Sequence, residues 1–253
     1  MARSYHGLGS LALRRSDYGE AARQYQRALG ISERLGDQAG MARSYHGLGS
    51  LAQLRGDYNE AARQYQRALG ISERLGDQAG MAGSYHNLGS LAQVRGDYDE
   101  AARQYQRALG ISERLGDQAG MADTYHNLGS LAQVRGDNDE AARQYQRVLD
   151  ITERLGDQAG MARVYSQLGN LEKDRGGTAT AAVAWHVKAL MITLRLGTSQ
   201  TQTNLRWLAE YRRELGNGPF AELLALATGD TDVAETITSL LDEVDDNGTS
   251  TPL

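Results

Sequence analysis

Apolar residues recur along this chain at helical spacing, with a break about every twenty residues. Within residues 41–80, one such series runs through Tyr45–Ala52 and a second through Tyr58–Leu69. Between them, Gly56 is typical of a helix end and Asp57 of a helix start. The pattern predicts two amphipathic helices joined by only two or three residues. Such a short link places them antiparallel.

This two-helix unit is an internal repeat. Residues 41–80 recur as 81–120 with four differences, which are Arg43/Gly83, Gly47/Asn87, Leu54/Val94 and Asn59/Asp99. The sequence predicts five repeats of forty residues, at 1–40, 41–80, 81–120, 121–160 and 161–200. It predicts that a degenerate sixth helix pair at 201–229, a capping helix at 230–244 and a disordered tail at 245–253 follow them. Stacked repeats bury their faces on one another and leave an extended surface exposed. The function expected of such an array is to present that surface to a partner.

Small residues of one helix are placed where large residues of the facing helix need room. The order of these residues resembles that of the tetratricopeptide repeat (TPR) family. The family has an aromatic residue, Leu-Gly, Gly-x-Tyr, Ala, a second aromatic and Ala-Leu, matched here by Tyr45, Leu48-Gly49, Gly56-Asp57-Tyr58, Ala61, Tyr65 and Ala68-Leu69. The resemblance implies an all-α, right-handed superhelical solenoid of antiparallel helix pairs, whose first helices line a concave groove. The forty-residue period is similar to that of polarity adaptors, kinesin light chains and bacterial signalling repeats.

The fifth repeat has diverged. It keeps Tyr165 and an aromatic residue at Trp185, but the capping acids are replaced by the sequence at 176–178. His186 follows on the second helix and is expected on the surface.

Composition narrows the function further. The chain has no cysteine, which excludes disulfides and thiolate chemistry, and no apolar run long enough for a membrane span. The net charge of −5 is uneven, since residues 201–253 carry three Arg against ten acids. The absence of a basic stripe argues against nucleic-acid binding. We expect a cytoplasmic protein.

A helical wheel gathers polar residues on one side of each first helix, opposite Tyr45 and its equivalents. This side also carries two of the four positions that vary between repeats, including Gly47. The candidate peptide-binding groove consists of Arg3, His6, Ser10, Arg43, His46, Ser50, Gln53, His86, Asn87, Ser90, Gln93, Asp123, His126, Asn127, Ser130 and Gln133.

The four groove histidines invite a metal or catalytic interpretation, but neighbouring helices stack about 8 to 10 Å apart, too far for most paired zinc ligands. Hydrogen bonds to a partner or to adjacent Ser and Asn are the more direct interpretation. Asp57 and Glu60 have the spacing of a capping box, and Arg63 and Glu60 are expected on a solvated outer face. Four equivalent copies of every candidate group do not resemble an asymmetric active site. The sequence thus predicts no enzyme, cofactor or metal.

The function predicted is that of a non-catalytic scaffold which binds a protein or peptide. A ligand is expected to place acidic groups near Arg3 and Arg43 and basic groups near Asp123. Two alternatives stay open, a self-assembling array and the sensor arm of a larger signalling ATPase. Both draw on the first repeat, because Met1 lacks the Gly-Asp-Gln-Ala-Gly sequence that opens the later repeats. This feature predicts either a fragment of a longer protein or an end that stacks on itself.

Overall fold

The computed structural model describes the backbone of residues 1–248 and the side chains of residues 1–244. This part of the chain forms thirteen α-helices and contains no strand. The helices are α1 (Ala2–Arg14), α2 (Tyr18–Leu35), α3 (Gln38–Leu54), α4 (Tyr58–Leu75), α5 (Gln78–Val94), α6 (Tyr98–Leu115), α7 (Gln118–Val134), α8 (Asn138–Leu155), α9 (Gln158–Asp174), α10 (Ala179–Leu196), α11 (Gln200–Leu215), α12 (Asn217–Thr228) and α13 (Thr231–Gly248). The predicted all-α class, built from paired helices, is confirmed.

Helix boundaries follow the turn chemistry of the sequence. Asp57 precedes α4, and its Oδ1 accepts a hydrogen bond from the backbone N–H of Glu60 at 3.0 Å. At the other end of α4, Gly76 has a φ of 66°, in the left-handed region that favours glycine. Only residues 55–57 and 76–77 connect α4 to its neighbours, as predicted.

The capping box predicted at Asp57 and Glu60 is only half formed. The backbone N–H of Asp57 already donates to the carbonyl oxygen of Ala52 at 2.9 Å, so it does not require the Glu60 carboxylate. Glu60 instead pairs with Arg63 and accepts a hydrogen bond from the side-chain amide of Gln64. These contacts, the Gln64 hydrogen bond first, lower the pKa of Glu60. Both side chains reach solvent, Arg63 more than Glu60, as expected of a solvated face.

The cap supplies a first prediction. Asp57→Ala is expected to lower the free energy of unfolding by about 1 kcal/mol, because a first-turn N–H group of α4 loses its acceptor. Gln66→Ala, on the exposed face of the same helix, is the matched control. Urea unfolding followed by circular dichroism measures both variants, and equal stabilities would rule out a contribution from the cap.

In the first helix pairs, a tyrosine of the second helix packs against a glycine of the first helix. Tyr65 of α4 lies against Gly49 of α3, where an added methyl group would come within 2.7 Å of the ring. Leu51 of α3 points the other way and packs on the preceding pair, against Ala21 and Tyr25. The same arrangement recurs one repeat later with Leu91 and two repeats later with Leu131. One helix therefore carries both the contact within its pair and the contact between pairs.

The fifth pair is displaced by one residue from the predicted alignment. Thr178 caps α10, and Gly177 adds one residue to the connection before it. The position of the buried tyrosines therefore falls on His186 instead of Trp185. His186 is 0% exposed, and its ring lies against Gly169. The prediction that His186 is on the surface is wrong, because the extra residue turns it into the core.

The C-terminal helices follow the predicted order with shifted ends. α12 begins at Asn217, which places Pro219 within the first turn, where backbone N–H groups need no intrahelical acceptor. α13 continues to Gly248, four residues past the predicted end of the capping helix, so the predicted tail begins later than residue 245. The rest of that tail, residues 249–253, lies outside the described residues. Ile237 and Leu241 of α13 belong to one buried cluster with Phe220.

The chain divides into two compact units, Met1–Leu131 and Ala132–Leu253, each with its own buried clusters. Among the described residues, no helix has both the length and the apolar character that a membrane span requires.

Candidate functional site

The residues predicted to line a groove all lie on first helices of the pairs. In the first unit they form what we term the first-helix face, which comprises Arg3, His6, Ser10, Arg43, His46, Ser50, Gln53, His86, Asn87, Ser90, Gln93, Asp123, His126, Asn127 and Ser130. The charged members Arg3, Arg43 and Asp123 are exposed, and the uncharged members are half-buried. The polar side chains between the charges are therefore partly withdrawn from solvent.

Histidine and asparagine side chains join successive first helices. Asn87 Nδ2 of α5 lies 2.8 Å from His46 Nε2 of α3, and Asn127 Nδ2 lies 3.2 Å from His86 Nε2. An amide nitrogen can only donate, so each Nε2 accepts and the ring proton belongs on Nδ1. The Nδ1 of His86 lies 3.5 Å from Thr124 Oγ1, which fits that tautomer. Contact with a neighbouring Asn was one of the hypotheses drawn from the sequence.

Glutamine side chains make a second set of links. Tyr65 donates its hydroxyl to Gln53 Oε1 at 3.0 Å, and Gln53 Nε2 donates to Ser90 Oγ of the next first helix at 3.3 Å. Tyr105 and Gln93 repeat the arrangement one pair later at 3.0 Å. Because the phenol fixes the amide oxygen, the amide nitrogen must face the next helix. The buried tyrosine of one pair thus orients a link to the following pair.

The first pair departs from this scheme. Gly47 occupies the place of the linking asparagines, but it is buried against the ring of Tyr25, which would lie 2.7 Å from an added methyl group. Gly47 therefore does not belong to the first-helix face, contrary to the helical wheel. Leu13 stands where later pairs have Gln53, and the Tyr25 hydroxyl contacts Ser10 Oγ at 3.2 Å instead. The wheel failed here because it does not include packing from the neighbouring pair.

One equivalent position of the repeats differs in charge along the face. It is positive at Arg43, neutral at Gly83 and negative at Asp123. Burial lowers the pKa of His6, and Arg43 lowers it further. Burial also lowers the pKa of His86, whereas Asp123 opposes that shift. Arg43 and Asp123 therefore shift the pKa values of these two histidines in opposite directions.

A cavity of about 130 Å³ opens among α3, α4 and α5. His6, Arg43 and His46 line it on the first-helix face, and Ser72 and Ser84 line it deeper in the fold. His6 Nδ1 is buried without a hydrogen-bond partner. Asp77 also lines the cavity, which can therefore accept a small polar group beside one guanidinium, two imidazoles and this carboxylate.

The second unit carries a link that the sequence analysis missed. Gln133, the last predicted groove residue, belongs to this unit and donates to Asp174 at 2.6 Å. Lys173 stands forty residues further along, and its Nζ lies 2.6 Å from Glu210 Oε1 and 5.1 Å from the centre of the Trp207 ring. The neutral glutamine link is thus replaced by an ion pair. The available signal was the rarity of lysine, which occurs only at Lys173 and Lys188.

No group of three or more His, Asp or Glu residues placed to hold one metal ion occurs in the part of the chain that the structure describes.

A family model described as tetratricopeptide repeat matches residues 1–74, 80–154 and 120–193. The chain belongs to this family. The resemblance drawn from residues such as Tyr45 and Leu48-Gly49 is therefore confirmed. No curated protein matches the sequence of this TPR chain.

Solved structures share the fold at low sequence identity. BtubC (BKLC) from P. vanneervenii is 22% identical with a TM-score of 0.65, over 93% of this chain and 94% of that one. A putative kinesin light chain from Podosopora anserina with nearly identical TPR-like repeats is 18% identical with a TM-score of 0.62, over 78% and 97%. A Rap protein complexed with Competence and Sporulation Factor is 15% identical with a TM-score of 0.62, over 96% and 74%.

Proposed function

We propose that this TPR protein is a non-catalytic scaffold that binds a protein or peptide segment along its first-helix face. The observation that carries the proposal is the set of links between first helices. His46, Gln53 and their equivalents form hydrogen bonds with neighbouring first helices and hold those helices in register. The exposed charges at Arg3, Arg43 and Asp123 then stand at fixed positions, which favours recognition of a partner by its charge pattern.

The sign of these charges sets the orientation of the ligand. Acidic groups of the partner are proposed to lie near Arg3 and Arg43, and basic groups near Asp123. Gly83 separates the two regions, and a methyl group added at this glycine would lie in ordinary van der Waals contact with His46 Nε2, at 3.8 Å. An extended or helical segment with opposite charges at its two ends is the ligand that this pattern fits. The complex of a Rap protein shows that a protein of this fold can hold a ligand.

The orientation can be tested by selecting peptides from a random displayed library with the wild-type protein and with Asp123→Arg. The wild type is expected to enrich peptides with acidic residues at one end and basic residues at the other. Asp123→Arg is expected to lose the basic preference and to bind the wild-type peptides about tenfold more weakly or worse, because like charges then face each other. Fluorescence anisotropy of the selected peptides measures the change.

Arg74→Asp, an exposed charge reversal on the second helix α4, is the control and is expected to leave both the selected sequences and the affinities unchanged. Enrichment of the same peptides by the wild type and Asp123→Arg would contradict the proposed orientation. Failure of the wild type to enrich any charge pattern would contradict peptide binding at this face.

A further inference from the structure

A cavity separate from the first-helix face lies between the second helices of two successive pairs. It has a volume of about 210 Å³ and is bounded by α2, α3 and α4. Leu48 and Leu51 contribute apolar side chains to its lining, and the polar side chains come from Arg55, Asp57, Glu60 and Gln64. None of these residues belongs to the first-helix face. We term this space the α2–α4 cavity.

Gln64 places a hydrogen-bond acceptor in this cavity. The residue is only 8% exposed, and its Nε2 donates to the Glu60 carboxylate, so that Oε1 is turned away from Glu60. Oε1 is buried and accepts no hydrogen bond from any residue that the structure describes. A buried amide oxygen of this kind costs free energy until a donor reaches it. The α2–α4 cavity therefore favours a ligand that donates a hydrogen bond.

Two carboxylates give the cavity a preference for positive charge. Asp57 and Glu60 both line it, and the Asp57 Oδ1 that caps α4 accepts the Glu60 N–H at 3.0 Å, which leaves Oδ2 as a further acceptor. Glu60 is paired with Arg63, so the Asp57 carboxylate is the main attractor of a cation. Arg55 also lines the cavity, but its Nη2 donates to Tyr18 O of the preceding pair at 2.7 Å. The lining therefore favours a cationic donor.

A lysine side chain combines the properties that this lining selects. Its methylene stem can pack on Leu48 and Leu51, while its ammonium group carries three donors on a compact charge. The acceptors in the cavity belong to separate groups, which are the Gln64 amide and the carboxylates of Asp57 and Glu60. Independent donors suit separate acceptors better than the planar fork of arginine, which matches a single carboxylate.

We propose that the α2–α4 cavity binds a lysine side chain of a partner protein. The ammonium group donates to Gln64 Oε1 and to the Asp57 carboxylate, and the stem lies along the two leucines. The proposal does not depend on the ligand proposed for the first-helix face, because the two sites share no residue.

The same arrangement recurs one repeat later, between α4 and α6. Gln104 Nε2 donates to the Glu100 carboxylate, and Gln104 Oε1 is again buried without a donor among the described residues. Asp97 caps α6, and Arg95 donates to Tyr58 O at 2.7 Å. The first unit therefore offers two equivalent sites, and a segment with two suitably spaced lysines is expected to bind more tightly than one with a single lysine.

Fluorescence anisotropy of labelled peptides with the full chain tests this. The probes are glycine–serine peptides that carry two lysines, in a series that varies the number of residues between them. The tightest of these is expected to bind at least about tenfold more strongly than the same peptide with Nε-acetyl-lysine, because acetylation removes the charge. Replacement of both lysines by arginine is expected to weaken binding as well. Equal affinity of the acetylated or the arginine peptide would overturn the proposal, as would the absence of binding to every lysine peptide.

Paired substitutions then locate the binding site. Asp57→Asn with Asp97→Asn removes one charge from each cavity, while asparagine still caps the helices. This double variant is expected to bind the tightest lysine peptide about tenfold more weakly. Glu33→Gln with Glu73→Gln removes the same charge from exposed positions of α2 and α4 and is expected to bind as the wild type does. Equal losses in the two double variants would show that binding follows net charge alone and would refute the site.

Two further variants test the amide acceptor and the choice of surface. Gln64→Leu with Gln104→Leu removes both acceptors with little change in size and is expected to cause a similar loss of affinity. Asp123→Arg, on the first-helix face, is expected to leave the affinity for the lysine peptide nearly unchanged. Circular dichroism checks that each variant remains folded. Unchanged binding by the leucine variant, or a tenfold loss in Asp123→Arg, would contradict lysine binding in the α2–α4 cavity.

Discussion

Replacing Tyr65 with alanine is expected to lower the free energy of unfolding by about 3 to 5 kcal/mol, the range found when a large buried aromatic side chain is removed. Tyr65 is 1% exposed, and its ring fills the space above Gly49. Its loss opens a cavity at the centre of the pair and also frees the amide of Gln53. Because folded proteins are stable by only about 5 to 15 kcal/mol, this is a large share of the total.

Two controls separate the contributions of the ring and the hydroxyl. Tyr65→Phe keeps the ring and is expected to lose only about 1 kcal/mol, the typical net value of one hydrogen bond. Tyr45→Ala removes a half-exposed tyrosine of the same pair, whose ring lies 5.6 Å from the Arg67 guanidinium, and is expected to cost clearly less than Tyr65→Ala. Urea unfolding monitored by circular dichroism provides the comparison. Equal losses in the two alanine variants would show that the Tyr65–Gly49 contact is not central to stability.

Acidification is expected to destabilise the second unit by about 3 kcal/mol between pH 6.5 and pH 4, through His186. His186 is fully buried against the ring of Trp207, with ring centres 5.6 Å apart, and burial lowers its pKa to about 4. Between that value and the ordinary pKa of 6.5, the unfolded chain binds a proton that the folded chain does not. Stability is therefore complete above pH 6.5 and is lost as the pH falls through this window.

His186→Phe tests this assignment, because phenylalanine has nothing to protonate. The variant is expected to show a much flatter dependence of stability on pH over the same range. Both tryptophans, Trp185 and Trp207, lie in the second unit, so their fluorescence reports its unfolding specifically. His6, His46 and His86 of the first unit also have lowered pKa values and are unchanged in this variant. Unfolding followed by circular dichroism therefore serves as the internal reference. An unchanged pH dependence of the fluorescence transition in His186→Phe would refute the assignment.

The candidate site could be predicted only in part from the sequence. Helical periodicity correctly selected the first helices as the elements that carry Arg43, His46 and Asp123, because one helix face is defined by sequence spacing alone. The same reasoning could not show that Asn87 binds His46, since these residues are forty-one positions apart and meet only after the helices stack. Nor could it show that the uncharged residues of the first-helix face are half-buried, which leaves Arg3, Arg43 and Asp123 as its exposed members.

By itself, the sequence determined the family, the helix pairs, the short connections and the caps. All of these depend on contacts within a few residues, such as the Asp57 carboxylate with the N–H of Glu60. Tertiary structure alone decided that Gly47 is buried under Tyr25 and that one extra residue, Gly177, brings His186 into the core. Those outcomes depend on which side chain a neighbouring helix inserts, and a helical wheel contains no information about the neighbour.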